Sequence, residues 1–366
     1  MKKLLFIIST NPGRQAWFAD LLSALSNEGL FIRVWTRSKR FRRNLRREHI
    51  VAKKLRLPAL HPILFCISLP LLWLIFGVAH TLRIMQKRPA QIILCNWPEK
   101  IVLSPFSHFF GVKLFWLEDP TRAEVPKILY ISALYRHYAK HATVLVFGSK
   151  TQETWAETCK AKSIQSLFPS PYKPVSRQDD LFKTLAETGD RSRFVVGSVL
   201  YGLPKDQAER LLSALAIAQS VCPLIELVIL GSGKNRQQLQ WLSKRMGLER
   251  RVWLAGPSED FQRWVGHLDT YVIAASEPTL DDVAWALHAM LAGLPVLAPQ
   301  KNWLSDVITT KTGALIDVTD PETIARQLIS LQQNEVMRRA LGAEAAKTAE
   351  QFSFEKLRNS VVKLLS

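Results

Sequence analysis

Residues 274–299 read AASEPTLDDVAWALHAMLAGLPVLAP. The stretch decodes as strand end, loop, helix, glycine turn and strand. Tyr271 to Ala275 is a short apolar run that Ser276, Glu277 and Pro278 break. Thr279 can cap a helix, with Asp281 and Asp282 in its first turn, where acids suit the positive end of the dipole. Val283, Leu287, Met290 and Leu291 recur at helical spacing. Gly293 followed by Pro295 is the order expected at a helix end. A loop at the carboxyl end of a strand, with a helix N-terminus pointing into it, is where open α/β sheets hold phosphorylated ligands.

Working outward, the strand–helix alternation continues in both directions. Leu4–Ser9, Phe31–Trp35, Ile92–Cys95, Lys113–Leu117 and Thr143–Phe147 read as strands separated by helical segments. The opening βαβ unit turns at Gly13. Residues 169–193 change character, with Pro169, Pro171 and Pro174 followed by three aspartates. Strands then resume at Phe194–Val199, Ile225–Leu230 and Val252–Leu254. We expect two parallel-sheet α/β domains, bounded as 1–170, a linker over 171–193, a second domain over 194–350, and a helical tail over 351–366. The tail has the option of crossing back to the first domain.

The 366 residues suffice for two full cores. Lys plus Arg is 49 against 31 acids, a formal charge of +18. That excess calls for anionic partners: phosphates, acidic lipid or nucleic acid. Four widely spaced cysteines, without metal-like spacing, read as reduced core thiols of a cytosolic protein. Ten of the twenty residues from Arg37 to Arg56 are Lys or Arg. With Phe41 and Leu45 one turn apart among them, the run reads either as a solvated surface segment or as a membrane-surface segment. Arg40, Arg42, Arg43, Arg46 and Arg47 are its candidate lipid contacts. Residues 62–79, PILFCISLPLLWLIFGVA, follow without a charge. This run, with Trp73 near its middle, fits a core helix, a helix dipped into one leaflet or a borderline span.

The second half resembles the family-four glycosyltransferases, through Gly197, Leu227–Gly233 (LVILGSG), residues 247–256 (GLERRVWLAG), Met290–Val296 (MLAGLPV), Gly313 and Phe352–Ser353. The resemblance implies a GT-B fold: two Rossmann-like, doubly wound parallel sheets facing across a cleft. It implies transfer of a sugar from a UDP- or GDP-sugar with retention of configuration and no obligatory metal. Donor contacts would come from Gly13, Ser198, Lys205, Gly231, Glu277, Asp281, Asp282 and His288. Asp119, Lys205 and Glu277 would be the catalytic candidates. The acceptor would be a glycan or lipid-linked sugar, reached from the cytoplasmic face of the plasma membrane.

The match departs from the family at four places. Ser198 stands where an arginine is usual. His288 and Leu280 occupy the two glutamate positions. Glu118 and Asp119 replace a histidine after a first-domain strand. A catalytically degenerate relative that binds a membrane or partner therefore stays open. Nucleic-acid binding is disfavoured, because the basic run lacks interleaved aromatics and a known motif.

Overall fold

The computed structural model describes residues 2–8, 16–58, 61–108, 112–118, 129–159, 161, 163–171, 193–199, 205–230, 236–255 and 264–365. The chain divides into two compact units. One is Met1–Phe168 with Glu355–Ser366; the other is Pro169–Phe354.

The first unit carries β1 (Lys3–Ile8), α1 (Ala16–Asn27), β2 (Phe31–Thr36), α2 (Lys39–Arg47), β3 (Val51–Lys54), α3 (Pro62–Ile67) and α4 (Leu69–Leu72). A π-helical turn over Trp73–Gly77 leads into α5 (Val78–Lys87). There follow β4 (Gln91–Leu94), α6 (Trp97–His108), β5 (Lys113–Leu117), α7 (Leu129–Ala139), β6 (Thr143–Phe147), α8 (Ser149–Cys159) and β7 (Ser163–Leu167). Its strands form one parallel sheet of order β3-β2-β1-β4-β5-β6-β7. The inner strands are buried on both faces and therefore read as continuous apolar runs; β1 is KLLFII and β5 is KLFWL.

Side chains alternate across this sheet. Leu5, Ile7 and Trp35 join a core with Phe65, Leu69, Leu72, Ile84, Ile101 and Trp116. On the opposite face Phe6 meets Phe18 edge-on at 6.1 Å, and Phe18 stacks on Phe41 at 6.3 Å. Thus α1 and α2 cover one face, while α3 to α6 cover the other. The last helix, Phe354–Leu365, belongs to this unit from Glu355 on. Gln91 Nε2 donates to the Leu365 carbonyl at 2.8 Å, and Arg358 pairs with Glu28 at 3.3 Å.

The polybasic stretch forms a helix and an edge strand. Ser38 caps α2, its Oγ accepting from Phe41 N at 3.2 Å. Residues 51–54 then pair as an edge strand with β2. Phe41 and Leu45 are buried in the unit's own core, so the apolar side of α2 is already covered. Cys66, Cys95 and Cys222 are buried and none of the three is in a disulfide.

The second unit carries β8 (Phe194–Val199), α9 (Lys205–Val221), β9 (Ile225–Leu230), α10 (Arg236–Arg245), β10 (Val252–Leu254), β11 (Thr270–Val272) and α11 (Leu280–Leu291). It continues with β12 (Val296–Pro299), β13 (Gly313–Ile316), α12 (Pro321–Gln333) and α13 (Glu335–Ala349). The sheet order is β10-β9-β8-β11-β12-β13, all parallel. Strands are added outward from β8 (β9, β10) and from β11 (β12, β13), the doubly wound order, with α11 joining β11 to β12 and only a 3₁₀ turn at Asn302–Leu304 between β12 and β13. The expected linker, 171–193, lies outside the described residues except at its two ends.

Candidate active site

In a doubly wound sheet, ligands sit beyond the carboxyl ends of the strands where the order reverses. In the second unit that point lies between β8 and β11. Ser198, near the end of β8, is fully buried, and its hydroxyl donates to the Val272 carbonyl at 2.9 Å. Ser198 thus ties the two diverging strands together. Lys205 begins α9. It is exposed, lies 3.4 Å from Glu209 one turn on, and stands 6.0 Å from the Trp241 ring.

The loop after β11 supplies the other wall. Gln207 Nε2 donates to Ser276 Oγ at 3.0 Å, joining the start of α9 to that loop. Glu277 is largely exposed and pairs with Lys301, beyond β12, at 2.5 Å. Thr279 is the N-cap of α11, as the sequence leads one to expect. Its hydroxyl accepts from Asp282 N at 3.3 Å, and the Asp282 carboxylate accepts from Thr279 N at 2.6 Å, a reciprocal capping box. Asp282 is therefore engaged in shaping the helix start. Asp281 is buried within the same turn. Burial, and then the negative Asp282, push the Tyr271 phenol well above its ordinary range, against a Val199 backbone contact. Tyr271 is accordingly a neutral, fixed support under the loop. His288 lies two turns further along α11, its ring 5.8 Å from Trp285. That separates it from the helix N-terminus by roughly 12 Å at 1.5 Å per residue.

The far end of α11 is held by a Schellman closure. Leu294 N bonds Ala289 O at 3.0 Å and Gly293 N bonds Met290 O at 2.9 Å, with Gly293 at φ 78°. Gly342 of α13 abuts this turn so closely that a Cβ there would lie 1.9 Å from the Gly293 oxygen.

The first unit has its own polar cluster at carboxyl strand ends. Lys100, in the first turns of α6, is almost wholly buried. Its Nζ donates to Leu117 O at 2.9 Å and pairs with Glu118 at 2.5 Å. The Tyr135 hydroxyl donates to the same Glu118 oxygen at 2.6 Å. Glu118 is thus a fixed carboxylate at the end of β5. Burial lowers the Arg37 guanidinium pKa, an effect that nearby Glu99 opposes.

Of the expected site residues, the sheet brings Ser198, Lys205, Glu277, Asp281 and Asp282 to one end of the second unit. Gly13, Asp119 and Gly231 lie outside the described residues. Trp73 turns inward, its indole N–H donating to Ile101 O at 3.1 Å. Arg42 also turns back, onto the carbonyls of Thr36 at 2.7 Å and Arg37 at 2.9 Å. Sequence reasoning missed Gln207, Ser276 and Lys301, for which no local motif exists. Among the described residues, no group of three or more His, Cys, Asp or Glu is placed to hold a metal ion.

Comparison with known proteins agrees with this geometry. Residues 191–334 match the family model described as glycosyl transferases group 1. The lipopolysaccharide core biosynthesis glycosyltransferase LpsE of Rhizobium meliloti is 26% identical over 148 residues, 39% of this chain and 42% of that protein. The match therefore spans less than half of that relative. Two solved structures align over nearly the whole chain. A glycosyltransferase from Rickettsia africae has TM-score 0.76 at 11% identity, over 99% of this chain and 97% of that one. Anabaena HepE in complex with UDP has TM-score 0.76 at 17% identity, over 100% and 99%. The architecture is thus the GT-B fold. Within its second unit, residues 191–334 match the glycosyl transferases group 1 domain.

Proposed function

We propose that this chain transfers a sugar from a nucleotide-diphosphate donor to a glycan or lipid-linked acceptor, with retention of configuration, at the cytoplasmic face of the membrane. The observation that carries this reading is the group 1 match over 191–334, falling on a sheet whose reversal point gathers Ser198, Lys205, Gln207, Ser276, Glu277 and Lys301. UDP is the favoured nucleotide, since HepE is described with UDP and with UDP-glucose.

Departure of a nucleoside diphosphate builds negative charge on its terminal oxygens. Preorganised cations and the positive end of a helix stabilise that charge. Lys205 and Lys301 supply the cations here, and α11 supplies the dipole. The Lys301–Glu277 pair is mostly exposed on its carboxylate side, and such pairs are worth under about 1 kcal/mol. A diphosphate can therefore recruit Lys301 and free Glu277 to accept a hydroxyl of the donor. His288 would hydrogen-bond the ribose. On the acceptor side, Glu118, fixed by its pairing with Lys100, can orient an incoming hydroxyl, with Asp119 beside it in sequence.

The test is release of nucleoside diphosphate from a panel of UDP- and GDP-sugars with lipid-linked and free glycan acceptors. One donor should be turned over. Lys205→Ala should lower turnover at least about tenfold, less than the ~10²–10³ for a buried oxyanion donor because Lys205 is half exposed. A second reading has support in Ser198 and His288, which stand where the family resemblance places arginine and glutamate: a degenerate protein that binds but does not transfer. Donor binding without release under every acceptor would select it.

A further inference from the structure

The run from Pro62 to Lys87 is apolar on two sides, and only one of them is covered. Its inner side enters the core through Phe65, Leu69, Leu72 and Ile84. Gly77 lies so near Phe106 that a Cβ would meet the ring at 2.4 Å. On the outer side Ile67, Leu71, Leu74, Val78, Leu82 and Met85 recur every third or fourth residue, 40–73% exposed. Helical geometry gathers residues at that spacing into one stripe. Scattered exposed apolar residues are ordinary; a continuous stripe along about five turns is the mark of an interaction surface.

We infer that this stripe is an in-plane docking surface for an anionic bilayer, lying flat with its apolar side chains among the acyl chains. The inference deepens the membrane-facing part of the proposed function and is independent of the donor site. Leu69–Lys87 is long enough to cross a bilayer, with 19 residues and mean hydropathy 1.3. A crossing would, however, strip Leu69, Leu72 and Ile84 from the sheet. It would also break the Trp73–Ile101 bond and expose buried His80. Lying flat costs none of these contacts.

Charge selects lipid over a second copy of this chain. Arg83, Lys87 and Arg88 are exposed along and just past α5, and Arg56 is near enough to act electrostatically on His80. Lys53 stands opposite Trp35 in register, on the sheet face this helix covers, where Trp35 touches His80 at 5.8 Å. A protein of formal charge +18 opposes self-association across such a rim, whereas an anionic leaflet complements it. The arginines of α2 lie across the sheet from the stripe, beside Phe18 and Phe41. They form a separate basic surface.

The experiment is flotation of the full chain with phosphatidylcholine vesicles containing phosphatidylglycerol, and with phosphatidylcholine alone. Binding should require the anionic lipid. The triple variant Leu71→Gln, Leu74→Gln, Leu82→Gln should bind at least about tenfold more weakly, while keeping its thermal transition and its binding of nucleotide sugar. The variant Arg40→Gln, Arg43→Gln, Arg47→Gln should lose less. Unchanged binding by the stripe variant overturns the inference. So does a dimer in sedimentation that the stripe substitutions dissolve while vesicle binding is absent. Because nucleotide-sugar binding is read in the same samples, failure of the docking surface is distinguishable from failure of the transferase reading.

Discussion

Replacing Gly342 by Ala sets helix propensity against packing, and the structure decides between them. Gly342 lies inside α13 (Glu335–Ala349), where Gly→Ala ordinarily stabilises by about 1 kcal/mol. Here the added Cβ would lie 1.9 Å from the Gly293 oxygen, 2.9 Å from its carbonyl carbon and 3.7 Å from Pro295 Cδ. Reaching ordinary contact requires the two segments to part by roughly 1.5 Å, taking carbon contact distances near 3.5 Å. Gly293 cannot swing aside cheaply, because its φ of 78° and both Schellman bonds fix the turn. Overpacking of this kind costs about 1–3 kcal/mol. A backbone atom as the obstacle places this case at the upper end, so the net loss is about 2 kcal/mol. With an m-value of about 2 kcal/mol/M, the urea midpoint of the second unit should fall by about 1 M. The assay is urea unfolding with hydrogen exchange read over peptides spanning α11 and β12. Exchange there should quicken more than in the first unit. An unchanged or raised midpoint would refute the claim that α11 is clamped by this glycine contact.

Further outcomes follow from other contacts. Lys100→Met removes the cation that faces Glu118 and leaves that carboxylate with the Tyr135 hydroxyl. It should cost about 3 kcal/mol, the low end for breaking a buried pair, and the double variant with Glu118→Gln should recover much of that in chemical denaturation. Acid sensitivity should trace partly to His80, whose Nδ1–H donates to Phe76 O at 2.8 Å. Burial, and then Arg83 and Arg56, lower its pKa below 6.5 against the effect of that bond. The unfolded chain then holds more protons just below pH 6.5, so stability falls as pH drops from 6.5 toward the lowered folded value. His80→Gln should flatten that slope in urea titrations between neutral and mildly acid pH.

Much of the architecture is legible in the sequence because inner parallel strands are continuous apolar runs. Lys113–Leu117, Thr143–Phe147, Phe194–Val199, Ile225–Leu230 and Val252–Leu254 are strands at those bounds. The capped helix after Thr279 is equally plain, since the capping residues are adjacent in sequence. The two strands that escape, VAKK at 51–54 and SIQSL at 163–167, are the edges of the seven-stranded sheet. Edge strands are short and polar, so they carry little of the apolar signal. The polybasic run misleads for a related reason. Phe41 and Leu45 suggest a lipid-facing side, yet tertiary packing against Phe18 uses it. The outward stripe of 67–85 is hidden because both sides of that helix are apolar, and only the fold separates them. In the second unit, Gln207–Ser276 and Lys301–Glu277 join residues 69 and 24 positions apart, which no local pattern encodes.

The central claim is that the C-terminal unit seats a nucleoside diphosphate sugar at the point where its strand order reverses. Calorimetric titration of the full chain with UDP- and GDP-sugars tests it most directly. Saturable binding of at least one of them is expected at about millimolar affinity or tighter, weakened by Lys205→Ala and by Lys301→Ala. A folded chain that binds none of them at that concentration, or binds one unaffected by either substitution, would contradict it.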